Sequence, residues 1–132
     1  MPYLNFKTTA RKKEETTQGI VDILLSNTTD ILGKKEDVTA INIEYLNADT
    51  WFIGKNSLKD SSKTTFYLDI KITEGTNTKA QKALYIKNVF SRLEELFENI
   101  SKESYIVIDD VKGDSWGFDG KTQEYRYIQS LS

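Results

Sequence analysis

The feature of this sequence that most constrains its fold is an internal repeat with a separation of 65 residues. Six positions at helical spacing in the first half have apolar counterparts in the second half, and a tryptophan in each half keeps the same separation. The pairs are Val21 and Ile86, Leu24 and Val89, Leu25 and Phe90, Thr28 and Leu93, Ile31 and Leu96, Leu32 and Phe97, and Trp51 and Trp116. A constant separation across a helix face and an aromatic turn indicates two copies of one structural unit.

The first unit shows the pattern of a strand, a helix, a second strand and an aromatic turn. Residues 2–8 alternate as a strand does, and helical periodicity runs over 11–32, followed by Gly33 at a position typical of helix C-termini. A second alternating pattern over 38–46 predicts another strand, and the bulky residues 51–54 predict a turn.

The second unit repeats this order. Alternation over 66–72 predicts a strand, Thr78 and Gln81 form a capping-box pattern at the start of the second helix, and 105–111 predict the last strand. The polar segment 55–64 has no periodicity and is predicted to be a linker. We therefore expect one domain over 1–132, made of repeats 1–54 and 65–128.

The connections within each unit determine the expected topology. Strand-helix-strand crossovers are nearly always right-handed and join parallel strands. The sequence thus predicts an α+β fold, a four-stranded sheet with both helices on one face. Tyrosines at 3, 45, 67 and 105 are predicted on the other face, where an exposed apolar surface favours self-association. Alternatively, these tyrosines lie at a solvated surface.

Composition narrows the possible chemistry. The 132 residues include 18 basic and 20 acidic side chains, a balance that favours neither a nucleic-acid nor a membrane partner. Neither cysteine nor histidine is present, which excludes thiolate and histidine-dependent nucleophiles and disfavours a zinc site. No apolar stretch is long enough to span a bilayer, and no signal-peptide pattern opens the chain. We expect a cytoplasmic protein without a metal or cofactor.

The Met1-Pro2 start offers one of the few general bases left to such a chain. If Met1 is removed, Pro2 becomes a rigid secondary amine at the beginning of a strand. An α-amino group titrates near pH ~8, and burial lowers its pKa towards neutrality. A base that titrates near the working pH suits proton transfer. A chance Met-Pro start is the alternative interpretation.

Pro2, Leu32-Gly33, Asp37 and the segments 79–82 and 115–120 occur together in an order that resembles the tautomerase superfamily. The chain is most similar to its branch of fused two-repeat subunits, which includes malonate semialdehyde decarboxylase. The resemblance implies a homotrimer whose sheets pack around a central axis. It also implies three sites, each built around an N-terminal proline and completed by neighbouring subunits.

The resemblance implies roles for several further residues. Pro2 corresponds to the catalytic base, Asp37 or Tyr105 would assist it, and Arg11 or Lys12 would hold a substrate anion. Two of these assignments have simple alternatives. Asp37 is also typical of a turn, and the basic residues 11–13 can form a solvated turn balanced by the acidic residues after them.

Trp116 and Phe118 would form an apolar wall that lowers the pKa of Pro2, or else pack at a subunit interface. Gly75 and Asn77 stand where the resemblance would place a pair of arginines, and neither can form a bidentate clamp on a carboxylate. Malonate semialdehyde decarboxylation is therefore disfavoured.

These residues lead us to expect a tautomerase-like enzyme for enol-keto proton transfer on a small 2-oxo acid or an aryl-pyruvate-like substrate. Three alternatives remain open. They are a catalytically silent trimer with a binding or structural role, a decarboxylase or hydratase of the same superfamily, and a small regulatory or ligand-binding module of the ferredoxin-like type.

Overall fold

Each half of the chain forms a strand, a helix, a second strand and a small hairpin. The computed structural model describes residues 2–131, and its first half contains β1 (Tyr3–Thr8), α1 (Glu14–Asp30), β2 (Ala40–Tyr45), β3 (Phe52–Ile53) and β4 (Asn56–Ser57). The second half contains β5 (Phe66–Thr73), α2 (Lys79–Leu96), β6 (Tyr105–Val111), β7 (Gly117–Phe118), β8 (Lys121–Thr122) and the C-terminal α3 (Gln123–Ser130).

The main strands form one four-stranded sheet in the order β2-β1-β5-β6. β1 is parallel to β2 and β5 is parallel to β6, whereas β1 and β5 run antiparallel at the centre. A single core cluster contains side chains from both long helices and from one face of the sheet. The predicted α+β fold with two β-α-β units and both helices on one face is confirmed.

Four buried positions in or just after α1 have buried counterparts 65 residues later in or just after α2, as the repeat predicts. The matched pairs are Ile20 and Tyr85, Leu24 and Val89, Thr28 and Leu93, and Leu32 and Phe97. One of these pairs, Ile20 and Tyr85, lies one residue before the predicted stripe, so that Ile86 remains 39% exposed. The shift arises because polar groups occupy the core side with partners of their own. Tyr85 hydrogen-bonds to Thr28 at 3.0 Å, and burial raises the pKa of its phenol to about 12.

The first strands of the two units, β1 and β5, have a slightly different separation in the sequence. Leu4, Phe6 and Thr8 on the core side of β1 correspond to Leu68, Ile70 and Ile72 on β5, which are 64 residues later. The second unit therefore has one more residue between its first strand and its helix. By the same separation, the counterpart of Pro2 is Phe66, a fully buried core residue.

The first helix begins later than predicted. α1 starts at Glu14 with Lys13 as its N-cap, so Arg11 and Lys12 lie in the segment that connects β1 to the helix. The first turn contains Glu14 and Glu15, whose charges suit the positive end of the helix dipole. The predicted helical start at residue 11 is therefore three residues too early, and the basic residues lie in a turn before the helix.

Both hairpins follow the repeat. β3 and β4 have their counterparts, β7 and β8, 65 residues later. The segment 55–64 contains β4 and a 3-10 turn at Leu58–Asp60, in which Leu58 is only 6% exposed. In the second half, the place of that turn is taken by the start of α3.

The sheet face opposite the helices is open and mixed in character. Tyr3, Tyr67, Tyr105 and Val107 are all more than a third exposed on it. A polar set accompanies them: Asn42 donates to Asn5 at 2.8 Å, and Lys71 lies 2.9 Å from Asp109 and 3.8 Å from Asp69.

Tyr45 does not belong to the open sheet face, and its predicted place there is wrong. The Tyr45 hydroxyl lies 2.6 Å from the Thr17 hydroxyl on α1, so the side chain points to the helix side. Ile41 and Ile43 on the same strand also lie on that side of the sheet.

Neither a membrane span nor a metal cluster is found within residues 2–131. None of their helices combines the length and apolar composition that crossing a bilayer requires. No group of three or more histidine, cysteine, aspartate or glutamate side chains in this range could hold a metal ion.

Candidate functional site

Pro2 is buried where the central strand β1 begins. Its carbonyl oxygen accepts a hydrogen bond from the Ala40 amide at 3.2 Å, which fixes it against the start of β2. The register of Tyr3 with Lys71 places Pro2 opposite Ile72, a fully buried residue of β5. An apolar neighbour on one side and a fixed backbone on the other hold the residue in place. The Pro2 amine is free only when Met1 has been removed, and Met1 lies outside the described residues.

Three other predicted site residues lie at the same end of the sheet as Pro2. The strand directions bring the starts of β1 and β2 to the ends of β5 and β6. Asp37 is exposed in the 3-10 turn Glu36–Val38 just before β2, whereas Trp116 and Phe118 follow β6 and are half-buried. The Arg126 guanidinium stacks on the Phe118 ring, 4.5 Å from its centroid.

The remaining predicted residues lie at the opposite end. Arg11 and Lys12 follow the last residue of β1, and Tyr105 opens β6 with its ring 6.4 Å from that of Tyr67. A six-residue strand spans about 20 Å. One protomer therefore does not bring Arg11, Lys12 or Tyr105 to Pro2.

Gly75 and Asn77, which stand where the resemblance would place a pair of arginines, shape and stabilise a turn. Gly75 has a φ of 81°, in the left-handed region that favours glycine. The Asn77 amide donates to the Leu32 carbonyl at 2.9 Å and to the Gln81 side chain at 3.1 Å. This turn therefore ties the end of α1 to the start of α2.

A cleft of about 540 Å³, which the sequence interpretation missed, opens beside the ends of β5 and β6. We call it the α3 cleft; it is lined by Lys34, Thr73, Glu74, Thr76, Gly113, Gln123, Glu124, Arg126 and Tyr127. Its residues come from four separate parts of the chain, and α3 was not predicted. The available signal was Thr122, whose side chain accepts from the Tyr125 amide as an N-cap does.

Charged groups are concentrated at this end of the molecule. Lys82 on α2 forms an ion pair with Asp110 on β6, and each side chain is 29% exposed. The Oδ1 atom of Asp110 is buried without a partner among the described residues. Lys34 donates to the Thr76 hydroxyl at 2.8 Å. Burial lowers the pKa of the Lys34 amine, and the nearby Asp110 opposes that shift.

Comparison of the two units shows that the ion pair of Lys82 and Asp110 has no charged counterpart in the first unit. The positions 65 residues before Lys82 and Asp110 are Thr17 and Tyr45, which form the neutral hydrogen bond described above. The same contact between helix and strand is thus neutral in the first unit and ionic in the second.

Lys82→Thr alone should lower the free energy of unfolding by about 1–3 kcal/mol, because it leaves the half-buried Asp110 without its cation. Adding Asp110→Tyr copies the neutral pair of the first unit and should recover most of that loss. Urea unfolding of the two variants measures both effects. A double variant that is no more stable than Lys82→Thr would show that the contact cannot be exchanged between the units.

Comparison with known proteins identifies the fold but no sequence relative. No protein-family model matches the chain, and no curated protein matches it in sequence. A fused 4-OT wild-type asymmetric trimer designated F6 has a TM-score of 0.83 at 17% identity, over 94% of this chain and 98% of that chain. Pt0534, in a crystal structure inactivated by 2-oxo-3-pentynoate, has a TM-score of 0.83 at 12% identity over the same shares.

A macrophage migration inhibitory factor-like protein from Entamoeba histolytica has a TM-score of 0.73 at 18% identity, over 92% of this chain and 97% of that chain. Coverage of nearly the whole length on both sides means that both repeats and their junction are shared. The chain has the two-repeat fold of the fused tautomerase-superfamily proteins.

Proposed function

We propose that this protein is a cofactor-independent tautomerase that uses Pro2 as general base for enol-keto proton transfer on a small 2-oxo acid or aryl-pyruvate-like substrate. The observation that carries the proposal is the buried position of Pro2 at the start of the central strand. It is supported by the fold, which the chain shares with fused 4-OT proteins.

The proposed chemistry needs no cofactor. Burial disfavours a protonated amine, so the free Pro2 amine would have a pKa below that of an ordinary N-terminus. It would take the proton from the enol hydroxyl and return it to carbon as the carbonyl forms. The substrate gains and loses one proton, and no oxidant or reductant takes part.

We infer that the site is completed by self-association. Arg11, Lys12 and Tyr105 lie at the opposite end of the sheet from Pro2, so they would reach it only from a neighbouring protomer. Structures with this fold include trimers. In such an assembly Arg11 or Lys12 would hold the substrate anion and Tyr105 would assist, together with Asp37, Trp116 and Phe118 near Pro2.

The test is ketonisation of phenylenolpyruvate, followed by ultraviolet absorbance with protein whose intact mass shows that Met1 is absent. Pro2→Ala should lower kcat/KM by at least about 100-fold, the usual contribution of a positioned base. Protein that retains Met1 is the control, because its Pro2 nitrogen is an amide and it should be equally inactive. Equal rates for wild type and Pro2→Ala would refute the proposal.

One observation favours the second candidate, a catalytically silent protein with a binding role. Gly75 and Asn77 form a structural turn where the resemblance places a carboxylate-binding arginine pair. Under this alternative, methionine-free wild type would show no ketonisation above the buffer rate, while its assembly would be unchanged.

A further inference from the structure

We propose that the α3 cleft is a binding site for a small organic carboxylate, recognised by Gln123 and Arg126 with Lys34 beside them. None of the described residues that line the cleft belongs to the Pro2 site proposed above, although Arg126 stacks on Phe118, which does. The inference therefore stands whether or not Pro2 is catalytic.

The arrangement of charge within the cleft favours an anion. Lys34, Gln123 and Arg126 are half-buried and carry hydrogen-bond donors, whereas the lining carboxylates Glu74 and Glu124 are exposed. Within residues 2–131, neither Lys34 nor Arg126 forms an ion pair. Asp110 acts on Lys34 only from a distance, so a bound carboxylate would give these half-buried cations the direct ion pair that they lack.

Arg126 is already held in a fixed position. Its guanidinium stacks on Phe118, and its Nη1 atom donates to the side-chain oxygen Oε1 of Gln123 at 3.4 Å. A planar guanidinium fixed on an aromatic ring loses little conformational freedom when a carboxylate binds its other nitrogens. Such charge-assisted, two-point contacts are the usual basis of carboxylate recognition.

Gln123 provides an independent indication. Its Nε2 atom is buried and has no hydrogen-bond partner among the described residues. Because its amide oxygen already accepts from Arg126, the unpaired group is the donor. Buried donors are almost always satisfied in folded proteins, so one that remains free beside a cleft indicates a missing acceptor.

The repeat shows that packing does not require this amide. The position 65 residues earlier is Leu58, which is 6% exposed and fills the equivalent place at the start of the 3-10 turn. The same architecture thus accepts an apolar side chain there. The cleft volume of about 540 Å³ lies within the usual range for small-molecule sites, roughly 300–1,000 Å³.

The first experiment titrates the protein by calorimetry with succinate, a small carboxylate that lacks the 2-oxo group of the substrates proposed for the Pro2 site. Arg126→Gln should weaken binding at least about tenfold, the loss of one charge-assisted contact. Arg92→Gln is the matched control; Arg92 lies on the surface of α2 beside Glu95, and its loss should leave the affinity within twofold. Pro2→Ala should bind as the wild type does, which separates this site from the proposed catalytic one.

A second pair of variants separates recognition from packing. Gln123→Leu copies the first unit and should abolish binding while the thermal midpoint stays the same or rises. Leu58→Gln is the reverse exchange and should lower the midpoint without weakening binding. Gln123→Leu that loses stability but still binds would overturn the role of Gln123. Wild type that gives no saturable heat, or binds phosphate as well as succinate, would overturn a carboxylate site.

Discussion

If the protomers associate through the open sheet face, Val107→Glu is expected to convert the assembly into monomers. Val107 lies on β6, 40% exposed on the open sheet face, with Asp109 two residues further along the strand and Asp69 opposite it on β5. The new carboxylate remains solvated in a free protomer. At an interface it must be desolvated next to two like charges, a cost of several kcal/mol for each copy.

Light scattering at micromolar concentration measures this change in mass. Leu84→Glu is the control, since Leu84 is 51% exposed on the outer side of α2 and introduces the same charge on the opposite side of the protomer. It should leave the mass unchanged. If Val107→Glu also keeps the wild-type mass, the protomers do not associate through the open sheet face.

Phe66→Ala should lower the free energy of unfolding by about 3–5 kcal/mol, the cost of a large cavity in a core. Phe66 is fully buried, stacks on Phe6 at 5.3 Å and packs against Phe90 at 5.9 Å, so both units and one helix lose contacts. A fall of about 10–20 °C in Tm follows for a domain of this size.

The control for Phe66→Ala is Leu84→Ala, which removes an exposed side chain and should cost less than about 1 kcal/mol. Both measurements need equal protein concentrations, because assembly adds to apparent stability. If the two variants unfold at the same temperature, the packing of Phe66 against Phe6 and Phe90 is not a main source of stability.

The fold was predictable because the sequence pattern that specifies it is periodic. A separation of 65 residues fixed two units, and the handedness of crossovers then left few arrangements of four strands. The helix stripe was misplaced by one residue at Tyr85 because apolar periodicity does not recognise a tyrosine whose hydroxyl has a buried partner. Tyr45 was assigned to the wrong face for a similar reason, since Thr17 provides its partner on α1.

The candidate sites were predictable only in part. Pro2 stands out in the sequence because its chemistry depends on one residue and its place on a strand. The α3 cleft depends on Lys34, the turn after β5 and α3, which lie about 40 to 90 residues apart and meet only through tertiary packing. No local pattern connects Gln123 to Lys34, and the contrast with Leu58 acquires meaning only after the two units are superimposed.

The polar part of the open sheet face has a consequence for how protomers meet. Lys71 lies between Asp69 and Asp109, and Lys7 faces Glu44 across the strands, so opposite charges on this face are neighbours within one protomer. Identical faces would repel each other if they carried a large charge of one sign, and this face does not. Encounter between copies should consequently lack long-range electrostatic steering, and its rate should change little with ionic strength.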